Sequence, residues 1–185
     1  QNYFYLMQQL KDIFKEGSTN IYRWPDCATP MINEINELKP SKVLDLGCGA
    51  NSYRGMIDNL TGIDFATPEA DINCTIEDLP FEDNSIDICL ALGSINFGNE
   101  DLIKKQLSET KRVTKQGRRL YFRVMCEHKN ELYYPWNLKK AKQFAKEFNF
   151  EFVDGPRTIF RTIWETRKHQ VGDRGKERLY WVWKV

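Results

Sequence analysis

An open, doubly wound α/β sheet is the fold class this sequence predicts, and three observations predict it. From residue 43 onward, strand-like apolar runs alternate with segments of helical spacing, the pattern of a sheet covered by helices. The run SIDICLAL at 85–92 reads as a continuous apolar strand, the kind buried on both faces of a parallel sheet. The strand KVLDL at 42–46 runs into a turn carrying Gly47 and Gly49. Sheets of this class bind ligands beyond the carboxyl ends of their strands.

The elements follow in chain order. Tyr3, Leu6, Met7, Leu10, Ile13 and Phe14 have helical spacing, and Gly17 closes that segment. Thr29 then reads as an N-cap with Pro30 in the first helical turn. Met31, Ile35 and Leu38 form that helix's apolar stripe, which stops before Pro40. After the strand at 42–46, Tyr53, Met56, Ile57 and Leu60 are spaced like a helix face. TGID at 61–64 and DINCT at 71–75 are the second and third strands, and SIDICLAL is the fourth. A helix over 100–113 turns Ile103, Leu107 and Val113 inward. RLYFRVM at 119–125 is the fifth strand. A helix over 137–148 follows, with Leu138, Ala141, Ala145 and Phe148 as its stripe. FEFV at 150–153 and ERLYWVWKV at 177–185 complete a sheet of seven. No repeat or low-complexity linker interrupts the chain, so residues 1–185 are expected to form one domain. Residues 1–40 would be N-terminal helices or a lid, and 41–185 the binding sheet with its loops.

Composition excludes several classes. Hydrophobic residues make up 41% and charged residues 29%, as in soluble globular proteins. A formal net charge of +1 gives the whole molecule no strong pull toward nucleic acid or membrane. No apolar run approaches the roughly 18 residues of a membrane helix, and the first residues do not read as a signal peptide. The five cysteines, Cys27, Cys48, Cys74, Cys89 and Cys126, are odd in number and contain no C-x-x-C pair. A disulfide framework and a metal site are therefore not expected, and a reducing, cytoplasmic setting is.

The glycine turn narrows the ligand. Gly47 and Gly49 let the backbone approach a ligand closely, and a following helix would offer unpaired N–H groups. A dinucleotide fingerprint needs a third glycine at position 52, which is Ser52, and an apolar strand end where Asp45 stands. No Walker string G-x-x-x-x-G-K-[ST] occurs. Asp45 instead suits a ligand with a cationic amine. Nineteen residues beyond it, Asp64 ends the second strand, where an acid accepts the hydroxyls of a ribose. A ribose and an amine without a pyrophosphate describe S-adenosylmethionine.

Four ordered blocks, VLDLGCG, GID, IEDLPFEDNSIDICLAL and KRVTKQGRRLYF, resemble the successive motifs of class I S-adenosylmethionine-dependent methyltransferases, most of all the small type 11 branch. The resemblance spans about residues 40–125. It implies a Rossmann-like sheet in the order 3-2-1-4-5-7-6, with the last strand antiparallel. It also implies that the helix between strands two and three is shortened or absent, since only FATPEA intervenes. One sheet face would then be thinly covered. Cofactor contacts are implied for Asp45, Leu46, Gly47, Cys48 and Gly49 on the methionine part and for Asp64 and Phe65 at the ribose. Thr75 and Ile76 would lie at the adenine, and Leu92 and Gly93 along the methionine chain. Relatives place an Asp where this chain has Thr75, a weaker acceptor for the adenine amine.

Catalytic residues are harder to read, because a sulfonium methyl is already activated and mainly needs alignment. Many relatives carry a His pair where GSINFGN places Asn96 and Phe97. Asn96 reads either as an acceptor-positioning group or as a loop residue before the next helix. His128, after the fifth strand, and His169, between the last two, are the two histidines and each could serve as base or anchor. Arg123 sits inside an apolar strand and needs a partner. Residues 157–184 carry a net charge of +5 with Phe160 and Trp164 interleaved, either an anion-steering surface or a solvated loop. Tyr22 and Trp24 are lid or core residues. The acceptor is expected to be a small molecule, with an anionic one among the candidates, RNA second and no membrane partner. The [DNS]-P-P-[YFW] string of amino-base methyltransferases and a Pro-Cys pair are both missing. A catalytically silent binding domain and, against Asp45 and Ser52, a nicotinamide oxidoreductase are the competing readings.

Overall fold

The structure, a computed structural model, describes residues 3–14, 28–126, 131–160 and 177–185. Expectations for Gly17, Tyr22, Trp24, Cys27, His128, Trp164, His169 and the cations between 161 and 176 fall outside these residues. Helix α1 spans Tyr3–Phe14 and α2 spans Ala28–Glu37. Thr29 lies inside the first turn of α2 instead of capping it. The stripe of α2 is Ala28, Met31, Ile32 and Ile35, while Leu38 is exposed beyond the helix end.

Strands β1 (Val43–Leu46), β2 (Leu60–Ile63), β3 (Ile86–Ala91) and β4 (Thr114–Met125) run parallel. Helix α3 (Glu100–Val113) joins β3 to β4, and α4 (Leu138–Glu147) precedes β5 (Glu151–Phe160). β6 (Glu177–Lys184) inserts antiparallel between β4 and β5. The described sheet has the order β2-β1-β3-β4-β6-β5, which reverses direction between β1 and β3. This is the doubly wound arrangement the sequence predicts, including the antiparallel last strand.

Two expected elements are not formed. The predicted third strand, 71–75, is reduced to a single parallel bridge between Ile63 and Ile72. Asp71 takes over the edge of β2. Its carboxylate accepts from Gly62 N at 2.7 Å and Asn51 Nδ2 at 3.1 Å, and pairs with Arg54. A side chain thus satisfies a donor that a strand would have satisfied, and six strands are described instead of seven. The helix expected over 53–60 is also absent. Asn51, Gly55 and Asn59 adopt positive φ values of 51°, 75° and 56°, which break a right-handed helical ladder every four residues. Tyr53 and Ile57 are buried all the same, as turn residues. As expected, no helix forms over FATPEA at 65–70, between β2 and the expected third strand.

The alternation of strand side chains divides the core. Leu44, Leu46, Cys89, Ala91, Leu120, Phe122, Trp181 and Trp183 pack with α3 and α4 on one face. Ile103, Leu107 and Val113 of α3 are fully buried there, as their spacing predicts. In α4, Phe144 is buried and Leu138 is exposed. Val43, Ile88, Leu90, Tyr121, Tyr180 and Val182 meet α2 and the 53–57 turns on the other face. Side-chain period therefore assigns Asp45, Arg123 and Arg178 to this second face. α1 lies over the strand ends, where Leu6 and Leu10 pack on Leu102 with Phe65, Phe97 and Leu132 alongside.

Candidate functional site

A cleft of about 320 Å³ opens at the carboxyl ends of β1 to β4, roofed by Met7, Leu10 and Phe14 of α1. Its position is the switch point between β1 and β3, where such sheets leave a crevice. Ten of the eleven residues expected at the cofactor line it: Asp45, Gly47, Cys48, Gly49, Asp64, Phe65, Thr75, Ile76, Leu92 and Gly93. Leu46 does not; its side chain is fully buried in the core.

The glycine turn is held by side chains, with no helix behind it. Asp64 Oδ2 accepts from Gly49 N at 3.1 Å. Asp64 Oδ1 accepts from Ala66 N at 2.8 Å and Thr67 N at 3.2 Å. Thr67 Oγ1 donates to the Gly49 carbonyl at 2.9 Å, and Cys48 N donates to Ile63 O at 2.9 Å. Asp64 therefore ties the β1 turn to the end of β2 while facing the cleft. The helix-terminus donors that the sequence suggested are replaced by this clamp.

Gly47 has a φ of 69°, and an added Cβ would stand 2.4 Å from Ser94 Cβ. Gly49, at 53°, has open space beside it. A left-handed conformation costs an L-residue about 1–2 kcal/mol. Gly49→Ala should lose about that much stability, whereas Gly47→Ala must also push the β3 loop aside. We expect Gly47→Ala to melt several degrees below Gly49→Ala and to bind cofactor more weakly; equal melting temperatures would reject close approach as the constraint at Gly47.

Asp45 is 4% exposed. Burial pushes its carboxyl up to about 7, against the pull of the Arg123 guanidinium, and Asp64 adds to the rise. Arg123 lines the cleft and donates to the Leu92 carbonyl. Burial likewise pushes the Cys48 thiol up to about 12, so Cys48 is no nucleophile at neutral pH. Asn96 lines the cleft at 2% exposure. Its Oδ1 accepts from Met125 N at 3.2 Å and its backbone carbonyl accepts from Tyr134 N at 2.9 Å. This makes Asn96 a strut between the β3 loop and the end of β4.

Several lining residues carry no assignment from sequence. Ser94 Oγ and Gln106 Oε1 are buried polar atoms without a hydrogen-bond partner, and both residues line the cleft. Gln106 is three residues from Ile103 but belongs to a second stripe with Leu102 and Thr110; a polar residue inside that stripe is the signal that was there to be read. Arg178 of β6, 5% exposed, lines the cleft with Arg123. Phe97 packs tilted against Tyr133, with ring centroids 4.7 Å apart, and edge-on against Phe14 at 5.5 Å, forming an aromatic wall. Among the described residues no His, Cys, Asp or Glu cluster is arranged to hold a metal ion.

An adenosine with a zwitterionic tail fits this donor set. Two buried carboxylates, Asp45 and Asp64, line the cleft, the turn leaves room beside Gly49, and Ser94 and Gln106 each bring an unpartnered buried polar atom to the lining.

A family model described as "Hypothetical methyltransferase" matches residues 3–149. Among solved structures, a Burkholderia thailandensis 1,6-didemethyltoxoflavin-N1-methyltransferase, determined with its substrate and S-adenosylhomocysteine, superposes with a TM-score of 0.70 at 15% identity. The match covers 98% of this chain and 88% of that one. The geranyl diphosphate C-methyltransferase of Streptomyces coelicolor A3(2) gives 0.62 at 12% identity, covering 85% and 78%. The YcgJ protein of Bacillus subtilis gives 0.61 at 12%, covering 84% and 96%. Comparison with curated proteins finds no match. The family match runs from α1 through α4 and so includes the whole glycine turn, both acids and the β3 loop; the chain belongs to this methyltransferase family and is a class I enzyme dependent on S-adenosylmethionine.

Proposed function

We propose that this enzyme methylates a small, anionic acceptor in a reducing cytoplasm. The observation that carries the acceptor class is the pair of guanidinium side chains on the cleft wall. Arg178 of β6 lies opposite Met125 of β4, two residues beyond Arg123, so both arginines project from one sheet face toward the same cleft. Two neighbouring cations in a largely buried wall suit a carboxylate or phosphate. Two structural neighbours, a toxoflavin-precursor methyltransferase and a geranyl diphosphate methyltransferase, are named for small-molecule substrates. No described helix is long and apolar enough to cross a membrane, and the four described cysteines are free thiols.

When bound, S-adenosylmethionine supplies a methyl group already activated by its sulfonium. The chain's residues do the rest by positioning and by excluding water. Asp45 draws the amine, Asp64 the ribose hydroxyls, and Ile76 N–H a ring nitrogen, beside Phe65, Leu92 and Gly93. Arg123 and Arg178 hold the acceptor's anionic group, and Phe14, Phe97 and Tyr133 close the apolar side. Asn96 keeps the β3 loop and β4 in register. Where the acceptor must lose a proton first, we assign that role to His128, which follows β4 in sequence, or His169, which precedes β6.

Purified enzyme given methyl-labelled S-adenosylmethionine with a pool of small acids, and separately with total RNA, tests the reading. Label is expected in the acid pool. Arg178→Ala should raise KM for the labelled acid about 10- to 100-fold, the scale of a lost charge-assisted hydrogen bond, with S-adenosylhomocysteine affinity unchanged. Labelling of RNA alone, or an unchanged KM, would overturn it.

A further inference from the structure

The adenine end of the cleft holds a polar side chain with half of its hydrogen bonding unused. Gln106, 8% exposed, projects from α3 among Thr75, Ile76 and Glu77 in the cleft lining. Its Nε2 donates to Glu77 Oε1 at 3.3 Å. Glu77 fixes that orientation, because an amide oxygen in the same place would face a carboxylate oxygen. Oε1 is thereby left as a buried acceptor with no donor, a state that costs free energy until a donor arrives.

The Tyr3 hydroxyl of α1 lies near Thr75 and Glu77, and burial together with the Glu77 charge pushes it above its ordinary value. Thr75 stands where the resemblance places an Asp. The Glu77 carboxylate accepts from Gln106. Among the described residues of this part of the cleft lining, Gln106 Oε1 is a buried acceptor without a donor.

We propose that Gln106 is the residue that selects the purine: its Oε1 accepts a hydrogen bond from the 6-amino group of the bound nucleoside, in place of the Asp missing at position 75. The inference rests on the adenosyl-cofactor reading of the cleft. It goes beyond that reading by assigning the discrimination of a 6-aminopurine from a 6-oxopurine to one side chain. A 6-oxo group would present an acceptor to an acceptor. Gln106 cannot answer by rotating its amide, because Glu77 holds the NH2. Sites built to bond a polar group reject the analogue that lacks it far more strongly than apolar pockets do.

Calorimetry with S-adenosylhomocysteine and its 6-oxo counterpart, S-inosylhomocysteine, tests this without turnover. Wild type should prefer the adenosyl ligand by about ten-fold or more. Gln106→Met should lose that preference, weakening the adenosyl ligand and leaving the inosyl ligand within about two-fold. Thr75→Val should keep it. A folded Gln106→Met that retains the preference, or that weakens both ligands equally, overturns the proposal, since a merely structural role would lower both. Should Gln106→Met not fold, Glu77→Gln provides the second arm. It frees the Gln106 amide to rotate and should also shrink the preference; an unchanged ratio overturns the proposal. Wild type that binds both ligands equally overturns this inference alone. Wild type that binds neither overturns the adenosyl reading beneath it.

Discussion

Asp45→Asn is expected to raise the stability of the ligand-free protein at pH 8 and to abolish most of its affinity for S-adenosylmethionine. Both effects come from one buried carboxyl. In the folded chain Asp45 is pushed up to about 7 from an ordinary value of 3.8 by burial. A raised carboxyl stabilises the fold fully below the unfolded value and loses that contribution as pH rises through the folded value. Above pH 7 the folded state carries a buried charge that the unfolded state would solvate, at a cost on the order of a few kcal/mol. Asn cannot ionise. The stability difference between variant and wild type should therefore be small near pH 4, grow toward pH 7 and level off above it. Chemical denaturation across that range measures the curve.

Binding runs the other way. A cationic amine favours the ionised Asp45, so uptake of the cofactor releases a proton from the carboxyl. Affinity in wild type should fall as pH drops below about 7, approaching ten-fold for each further pH unit. The variant should bind weakly and without that slope. A variant that is less stable at pH 8, or that binds as wild type does, would exclude Asp45 as the ammonium partner.

Asp64→Ala should lose both structure and ligand. Removing the carboxylate unpairs the N–H groups of Gly49 and Ala66, which are part-buried, and of Thr67, which is buried; a buried donor left unmade costs about 1–3 kcal/mol, and the part-buried ones recover some of that through water. A drop of about 2–4 kcal/mol in unfolding free energy follows. Cofactor affinity should fall by a further 1–3 kcal/mol, about the worth of hydrogen bonds to a charged acceptor. Pairing the variant with 2′-deoxy-S-adenosylhomocysteine separates the two roles. If Asp64 holds the ribose, wild type loses affinity on removing the 2′-hydroxyl and Asp64→Ala does not. Equal losses in both proteins would leave Asp64 only its clamp on the glycine turn.

The layout of this fold and site was readable to unequal depths. The strand VLDL and the helix 100–113 were legible because their residues obey the periods of strand and helix over enough length. The segment 53–60 also obeyed a helical period and formed none. There the apolar residues are buried as turns, and three positive-φ residues, two of them asparagines, decide the backbone. The DINCT segment looked like a strand until Asp71 met the Gly62 N–H. That contact depends on which residue lies next to the β2 edge in space, and no local pattern encodes it.

The same division runs through the site. By itself the sequence determined the class of sheet, the crevice at its switch point, and the acids Asp45 and Asp64, since these follow from periodicity and from motifs confined to a few consecutive residues. Only the tertiary structure brought α1 over the strand ends, set Arg178 beside Arg123, joined Gln106 to Glu77 and left Gln106 with an unmet acceptor. Those are meetings between residues far apart in the chain. They are governed by packing and by which buried polar groups find partners, and both are settled only when the whole core closes.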